Sequence, residues 1–352
     1  MVDGKECAVG RDDLLFVGVD TSNYTTSLAL CDARGELLAN LKAPLLVRAG
    51  ECGLRQSDAV FAHLKNAPEL WEKLTTLTDG RCVGAVGYSA KPRGRNDSYM
   101  PCFFVGENLA RAYCAGSVGA GGVAARLYPF DHQRGHITAA LFSAGRLDLL
   151  ERKSPFMAFH ISGGTTDALL VTPDDSCEGF SVSEIGTSAD LHAGQLIDRV
   201  GVALEASFPC GAVMEEWALG YYAAKERGES LPPLPKMKLS VTGGVSHLSG
   251  AENRAAKLFA DLLAQGVEKP LAKSVTAAFL FDFIGATIGR MAEQLSEKYG
   301  DMPILFAGGV MSNRFLQETL GQRENTYFAE PAFSSDNAAG IALLTRRKLL
   351  NA

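Results

Sequence analysis

The sequence contains no Cys-x-x-Cys pair, although it holds 8 cysteines, at Cys7, Cys31, Cys52, Cys82, Cys102, Cys114, Cys177 and Cys210. A chain of 352 residues also has length enough for two ordinary domains without disulfide staples. Reduced, mostly buried thiols in a cytoplasmic protein are the expectation. No uninterrupted apolar stretch approaches 18 residues, so no membrane span is expected and no membrane partner with it. Met1 to Asp13 is polar and charged, without the apolar core of a secretory signal. Positive charge is not in surplus: 34 Lys and Arg stand against 40 Asp and Glu, a net charge of -6. The surface as a whole therefore does not attract nucleic acid, and any RNA contact needs a local basic patch or a partner that supplies one. Histidine is scarce, with 6 in the chain, so a pair at ligand spacing stands out.

A short pattern occurs twice. Leu14 to Val19 is an apolar run that ends in Asp20-Thr21-Ser22, and a second apolar run covers Ser27 to Leu30. Phe156 to Ile161 repeats the plan: it runs into Ser162-Gly163-Gly164-Thr165-Thr166 and then Ala168 to Val171. Each reads as strand, small polar turn, strand. Small polar residues suit any tight turn, so either copy alone carries little. Two copies, one opening each half, predict an α/β protein of two lobes in the manner of actin and the sugar kinases, with both hairpin turns facing one cleft.

The remaining signals alternate strand with helix, as α/β layers require. Helices are expected over Ser57–Leu74, Gly106–Gly116, Asp131–Ser143, Ala189–Ala206 and Lys273–Tyr299, and a buried strand over Val83–Tyr88. The glycine-rich stretch Gly116–Gly122 reads as the lobe boundary. Residues 14–125 and 126–330 are therefore assigned to the two lobes, and 331–350 to a closing turn and helix. Leu231-Pro232-Pro233-Leu234-Pro235 reads as an exposed connection.

Four constellations could carry chemistry. Glycine-rich turns let backbone N–H groups approach phosphate oxygens closely, and Ser162, Thr165 and Thr166 add hydroxyls. Asp20, in the opposing turn, could support a metal–phosphate or orient a water. His132-x-x-x-His136 on a helix puts two imidazoles on one face, although a chance surface pair has the same spacing. Asp336, in a turn before the last helix, could be the third ligand. Gly308-Gly309-Val310-Met311-Ser312-Asn313, strand into helix, could pack flat against an adenine or ribose. Asp198, on a helix before Phe208-Pro209-Cys210-Gly211, could hydrogen-bond a ribose.

In this order, from Phe16 to Leu344, the segments resemble the TsaD family, formerly called glycoproteases. Its members have an actin-like fold and transfer a threonylcarbamoyl group from its adenylate to an adenosine beside the tRNA anticodon. The resemblance implies one divalent ion, iron or zinc, on His132, His136 and Asp336, with an adenylate or ATP-like nucleotide as ligand. It places Ser162-Gly163-Gly164 at the phosphate, and Asp198, Gly211, Glu215 and Asn313 at the ribose and adenosine. It implies tRNA as acceptor and a complex with other threonylcarbamoylation proteins. No catalytic side chain is assigned.

The chain departs from the family pattern in several turns. Thr165 stands where the family has a histidine. Asn23-Tyr24-Thr25 replaces an acidic pair, Cys210 replaces the first glycine of Pro-Gly-Gly, and Lys91-Pro92-Arg93-Gly94-Arg95-Asn96-Asp97 replaces a Gly-Pro-Gly-Leu segment. Gly53-Leu54-Arg55-Gln56-Ser57-Asp58 also differs from the usual Pro-Glu-Leu pattern. This is the pattern of a divergent paralogue, for which a non-catalytic nucleotide-binding scaffold is the alternative. Arg93 and Arg95 could touch RNA phosphate or form a solvated loop. The old peptidase label has little support: position 133 is Gln, where His-Glu-x-x-His would place the water-activating Glu.

Overall fold

In the computed structural model, which describes residues 10–22, 24–46, 54–94, 99–117, 124–174 and 179–351, the chain divides into two compact units. The first comprises Met1–Lys153, Pro173–Val182 and Ala332–Ala352, the second Ser154–Thr172 and Ser183–Pro331. Cys7, Asn23, Cys52, Gly53, Arg95, Asn96, Asp97, Cys177 and most of the expected glycine boundary lie outside the described residues.

The first unit is built on β1 (Leu15–Ser22), in which every residue is buried. A strand covered on both faces needs no polar alternation, which is why the sequence shows an unbroken apolar run there. β2 (Thr25–Asp32) pairs antiparallel with β1, and β3 (Leu37–Pro44) antiparallel with β2. After α1 (Gln56–Thr78), β4 (Val83–Lys91) pairs parallel with β1; after α2 (Phe103–Gly116), β5 (Arg126–Asp131) pairs parallel with β4 and leads into α3 (His132–Ser143). The order is β3-β2-β1-β4-β5.

The second unit repeats the topology. β6 (Phe156–Ile161) pairs antiparallel with β7 (Thr166–Pro173), which neighbours β8 (Phe180–Ser188). Then come α4 (Ala193–Ala203), α5 (Gly211–Glu226), the short strands β9 (Val241–Thr242) and β10 (Val245–Ser246), α6 (Ser249–Ala264) and α7 (Lys269–Tyr299). β11 (Ile304–Ala307) pairs parallel with β6, and after α8 (Arg314–Leu320), β12 (Thr326–Phe328) pairs parallel with β11. The order β12-β11-β6-β7-β8 is the first sheet again, extended by β10 and β9. Two antiparallel hairpins, each opening a sheet with the same two parallel additions, give the actin-like α/β fold expected from the repeated pattern. α7 is long and apolar enough to cross a membrane, but 72% of its most apolar window is buried, and it forms the core helix of the second unit.

Two assignments are corrected. Residues 126–153 belong to the first unit, not the second, because β5 returns to pair with β4 (Ala85 opposite Arg126, Tyr88 opposite Pro129). The glycine run therefore joins α2 to β5 of one sheet and does not divide two lobes. The proline-rich segment is only partly exposed: Leu231 and Leu234 pack against the core, and the Tyr221 hydroxyl donates to the Pro232 carbonyl at 3.1 Å.

The chain ends with α9 (Pro331–Ser334) and α10 (Ala339–Leu350), and α10 packs in the first unit. Side chains alternate along a strand. Leu15, Val17 and Val19 face α1 and α2, while Phe16 packs with Ala139 of α3 and Ala339 and Ala342 of α10. Gly18, on that second face, leaves no Cβ to collide with the Ala338 carbonyl and the Ala342 amide. The helices themselves meet at glycines: a Cβ on Gly340 would overlap the Gly135 carbonyl oxygen and lie 2.8 Å from the Ala139 nitrogen. Backbone cannot yield as a side chain does. Gly340→Ala is therefore expected to cost about 1–3 kcal/mol or more, read as a lower thermal midpoint. An unchanged midpoint would show that the helices separate without cost.

Candidate metal centre and ligand cavity

Asp20 continues the second face of β1, two residues beyond Gly18, and is fully buried. A buried carboxylate is costly unless every oxygen is engaged. Here the Ser22 amide donates to Oδ1 at 2.9 Å, the Ser89 hydroxyl donates a short bond to Oδ2, and His132 Nδ1 lies 2.6 Å from Oδ2. Burial would raise the Asp20 pKa, but the charge and hydrogen bond of His132, with Ser89, hold it below the ordinary carboxylate value. Burial would likewise lower His132, but Asp20 and Asp336 hold it well above the usual imidazole range.

His132 opens α3 behind the N-cap Asp131, whose side chain accepts from the Arg134 amide at 2.9 Å. One turn on, His136 points the same way, with the two Nε2 atoms 2.8 Å apart. Asp336 Oδ1 lies 3.2 Å from His136 Nε2 and 3.5 Å from His132 Nε2. Burial would raise Asp336, yet its bonds to the two histidines hold it well below the usual carboxylate range. The three donor atoms all lie within 4.8 Å of one another.

This donor set fits a divalent ion. With Nδ1–H committed to Asp20, a neutral His132 carries its lone pair on Nε2, toward the other two donors. Three protein ligands leave coordination open, as in catalytic and not structural sites. Asp20→Asn keeps the shape but weakens the anchor of the imidazole, and is expected to lower ion affinity about 10–100-fold, read by competition with a chelator. Unchanged affinity would deny Asp20 that role. The sequence offers Asp20 as support for a metal–phosphate or a water; in the structure its oxygens are engaged by Ser22, Ser89 and His132.

The second unit carries a cavity of about 320 Å³. Gly163, Asp198, Gly211, Glu215 and Asn313, all expected at a nucleotide, line it, as do Pro209, Phe281 and Gly309. A Cβ on Gly163, Gly164, Gly211 or Gly309 would meet nothing within 4 Å. Of these, Gly163, Gly211 and Gly309 line the cavity and keep open a cradle that side chains would fill. Asp198 Oδ1 accepts from the Cys210 amide at 2.8 Å, fixing the loop before α5. Glu215 Oε1 accepts from the Arg314 amide at 3.0 Å, and Asn313 caps α8 by accepting from the Leu316 amide at 3.0 Å.

The β6–β7 turn is held by its own hydroxyls: Ser162 Oγ and Thr165 Oγ1 are 2.8 Å apart, and the Gly164 amide reaches Ser162 Oγ at 3.2 Å. Gly163 and Gly164 are exposed. Thr166 is different. It is buried, and its hydroxyl accepts from the Ala193 amide at 2.9 Å, tying β7 to the start of α4. Arg93, weighed as an RNA contact, is half-buried. Sequence reasoning missed Ser89 and also His63, a buried imidazole whose Nδ1 meets Thr26 Oγ1 at 2.9 Å.

The family model for TsaD, described as tRNA N6-adenosine threonylcarbamoyltransferase, matches residues 115–343, well over half of the chain. The chain belongs to the TsaD family. That family of tRNA threonylcarbamoyl transferases accounts for the segment holding all three candidate ion ligands and the whole cavity lining, whereas Asp20 lies outside the matched TsaD segment. Among solved structures, full-length HypF in its phosphate- and nucleotide-bound form matches at 9% identity and a TM-score of 0.51, over 95% of this chain and 56% of that one. At that identity the likeness shows the shared fold. A ROK family glucokinase from Streptomyces griseus, solved with glucose and AMPPNP, matches at 12% identity and a TM-score of 0.48, over 95% and 99% of the two chains. Component A of the (R)-2-hydroxyglutaryl-CoA dehydratase of Acidaminococcus fermentans matches at 13% and 0.49, over 96% and 99%.

Proposed function

We propose that this TsaD-family chain transfers a threonylcarbamoyl group from threonylcarbamoyl-adenylate to the N6 amine of an adenosine beside the tRNA anticodon. The observation that carries the reading is the three-donor cluster of His132, His136 and Asp336, with His132 oriented by a buried Asp20. A divalent ion held there, zinc or ferrous iron by the chemistry of two imidazoles and a carboxylate, would act as a Lewis acid toward the carbamoyl carbonyl.

The chain's own groups do the rest. The cradle of Gly163, Gly211 and Gly309 receives the adenosine, and the second oxygens of Asp198 and Glu215 are the acceptors for ribose hydroxyls. The exposed glycine turn at Ser162–Thr165 holds the phosphate and stabilises it as it leaves. The amine nitrogen bonds to the carbonyl carbon, the bond from that carbon to the phosphate oxygen breaks, and AMP departs with the electron pair. The amine proton passes to solvent. No protein nucleophile is required, which agrees with the absence of an assigned one. The chain works in the cytoplasm, together with other threonylcarbamoylation proteins that make the adenylate or bind the tRNA.

A second reading is a nucleotide-binding partner without activity. It is favoured by Thr165, whose hydroxyl is turned to Ser162 where the family has an imidazole. Complementation separates the two. A strain depleted of its own TsaD regains threonylcarbamoyladenosine in its tRNA if this chain is a transferase. Folded, nucleotide-binding protein that restores none would make it a partner.

A further inference from the structure

We propose that Lys42 is a positioning residue for the ion cluster, its ammonium holding the turn that presents Asp336 to His132 and His136. The inference rests on the reading that the cluster binds an ion. Lys42 sits on β3 directly opposite Ser27, and Ser27 directly opposite Asp20. Residues opposite one another in adjacent strands share a face. Asp20, Ser27 and Lys42 therefore form a polar row on the face that packs α3 and α10, and Ser89 of β4 joins it by its bond to Asp20. Ser27 donates to the Asp20 carbonyl at 3.2 Å.

At the β3 end of this row, Lys42 Nζ donates to the Ala332 carbonyl at 2.6 Å and to Ser335 Oγ at 3.2 Å. Ser335 is the immediate neighbour of Asp336. Within the turn, the Asn337 side-chain amide donates to the Phe333 and Ser335 carbonyls at 3.1 and 2.7 Å, and its oxygen accepts from the Ala339 amide at 3.1 Å. Those bonds shape residues 333–339; Phe333 and Ala338 pack in the core cluster with Phe16 and Ala29 of the sheet, and Lys42 adds the polar bonds from β3 that bear on Ser335, next to Asp336. Asp20 thus orients one ligand from the middle of the row, and Lys42 orients another from its edge.

The ordinary use of a lysine on an edge strand is to keep other strands from pairing there, and such a lysine extends into water. Lys42 instead turns its charge inward onto a carbonyl and a hydroxyl. Burial pushes its pKa down, while the charge of Asp336 pulls it up, so the two side chains are within electrostatic reach.

The test uses the full chain loaded with Co²⁺ alone, following affinity by chelator competition and coordination by the visible absorption of the ion. Lys42→Met should lower Co²⁺ affinity about tenfold, toward the lower bound for partners beyond the ligands, and change the absorption band, with the metal-free melting midpoint unmoved. Lys42→Arg keeps two donors and should restore most of the loss, and Lys65→Met, an exposed control on α1, should change nothing. Ser335→Ala removes one acceptor without touching β3, and should show the same loss in milder form even if Lys42→Met folds poorly. Wild-type affinity and spectrum in Lys42→Met and Ser335→Ala would overturn this inference alone. Wild-type protein that takes up no Co²⁺ would overturn the ion reading and the inference together.

Discussion

Asp336→Ala strips the divalent ion from the purified protein, from about one per chain to near none. The size of the effect follows from the donor count. With three protein ligands, loss of the only carboxylate leaves two imidazoles on one helix, which cannot close a site against water and buffer. Removal also leaves a charge problem. In the ion-free protein, Asp336 and Asp20 together hold His132 well above the ordinary imidazole pKa. A proton and an ion therefore compete for His132 Nε2. The ion must displace that proton, so affinity rises with pH by about tenfold per unit for each proton released, and the rise continues above the usual imidazole range until His132 is neutral. Metal analysis of wild type and Asp336→Ala, with a chelator titration at several pH values, checks both parts. Full occupancy in Asp336→Ala, or affinity that does not depend on pH, would place the ion elsewhere.

The second large effect belongs to the cavity. Gly211→Val and Gly309→Val each place a branched side chain where a Cβ now meets nothing within 4 Å. Neither has a neighbour to strain, so the melting midpoint of the unliganded protein should hold within a few degrees, as for a surface substitution. The ligand has no such freedom. A cavity of about 320 Å³ is at the small end for a nucleoside-sized ligand, and methyl groups inside it overlap a flat ring. Binding of an adenine nucleotide, measured by calorimetry, is expected to weaken more than tenfold, that is by more than about 1.4 kcal/mol. Undiminished binding in both variants would remove the cavity as the adenosine site.

The parts of this site that were legible in the sequence share a cause: they depend on spacing along one element. His132 and His136 are one helical turn apart. Each hairpin is a local pattern, and the turn at Ser162–Thr166 declares itself by composition. The parts that were not legible depend on strand register. Ser89 and Lys42 lie 69 and 22 residues from Asp20 in sequence, and only the pairing of β4, β1, β2 and β3 aligns them. Asp20 was visible, but its direction was not. Period-two alternation puts it on the face shared with Phe16 and Gly18, under α3, where it anchors an imidazole. The misplaced lobe boundary has a similar origin. A glycine run suggests a linker, and nothing local in Arg126–Asp131 says that the strand returns to β4. Thr166 matched a phosphate loop by type, yet its hydroxyl faces the amide of Ala193.

The central claim, that this chain moves a threonylcarbamoyl group, is tested most directly by incubating the ion-loaded protein and its threonylcarbamoylation partners with carbonyl-labelled threonylcarbamoyl-adenylate and unmodified tRNA. Nucleosides from the digested tRNA are then read by mass spectrometry. Labelled N6-threonylcarbamoyladenosine and AMP released in equal amount are expected, with loss of both in His132→Ala. Protein that holds its ion and binds the adenylate, yet leaves the tRNA unlabelled, would contradict it.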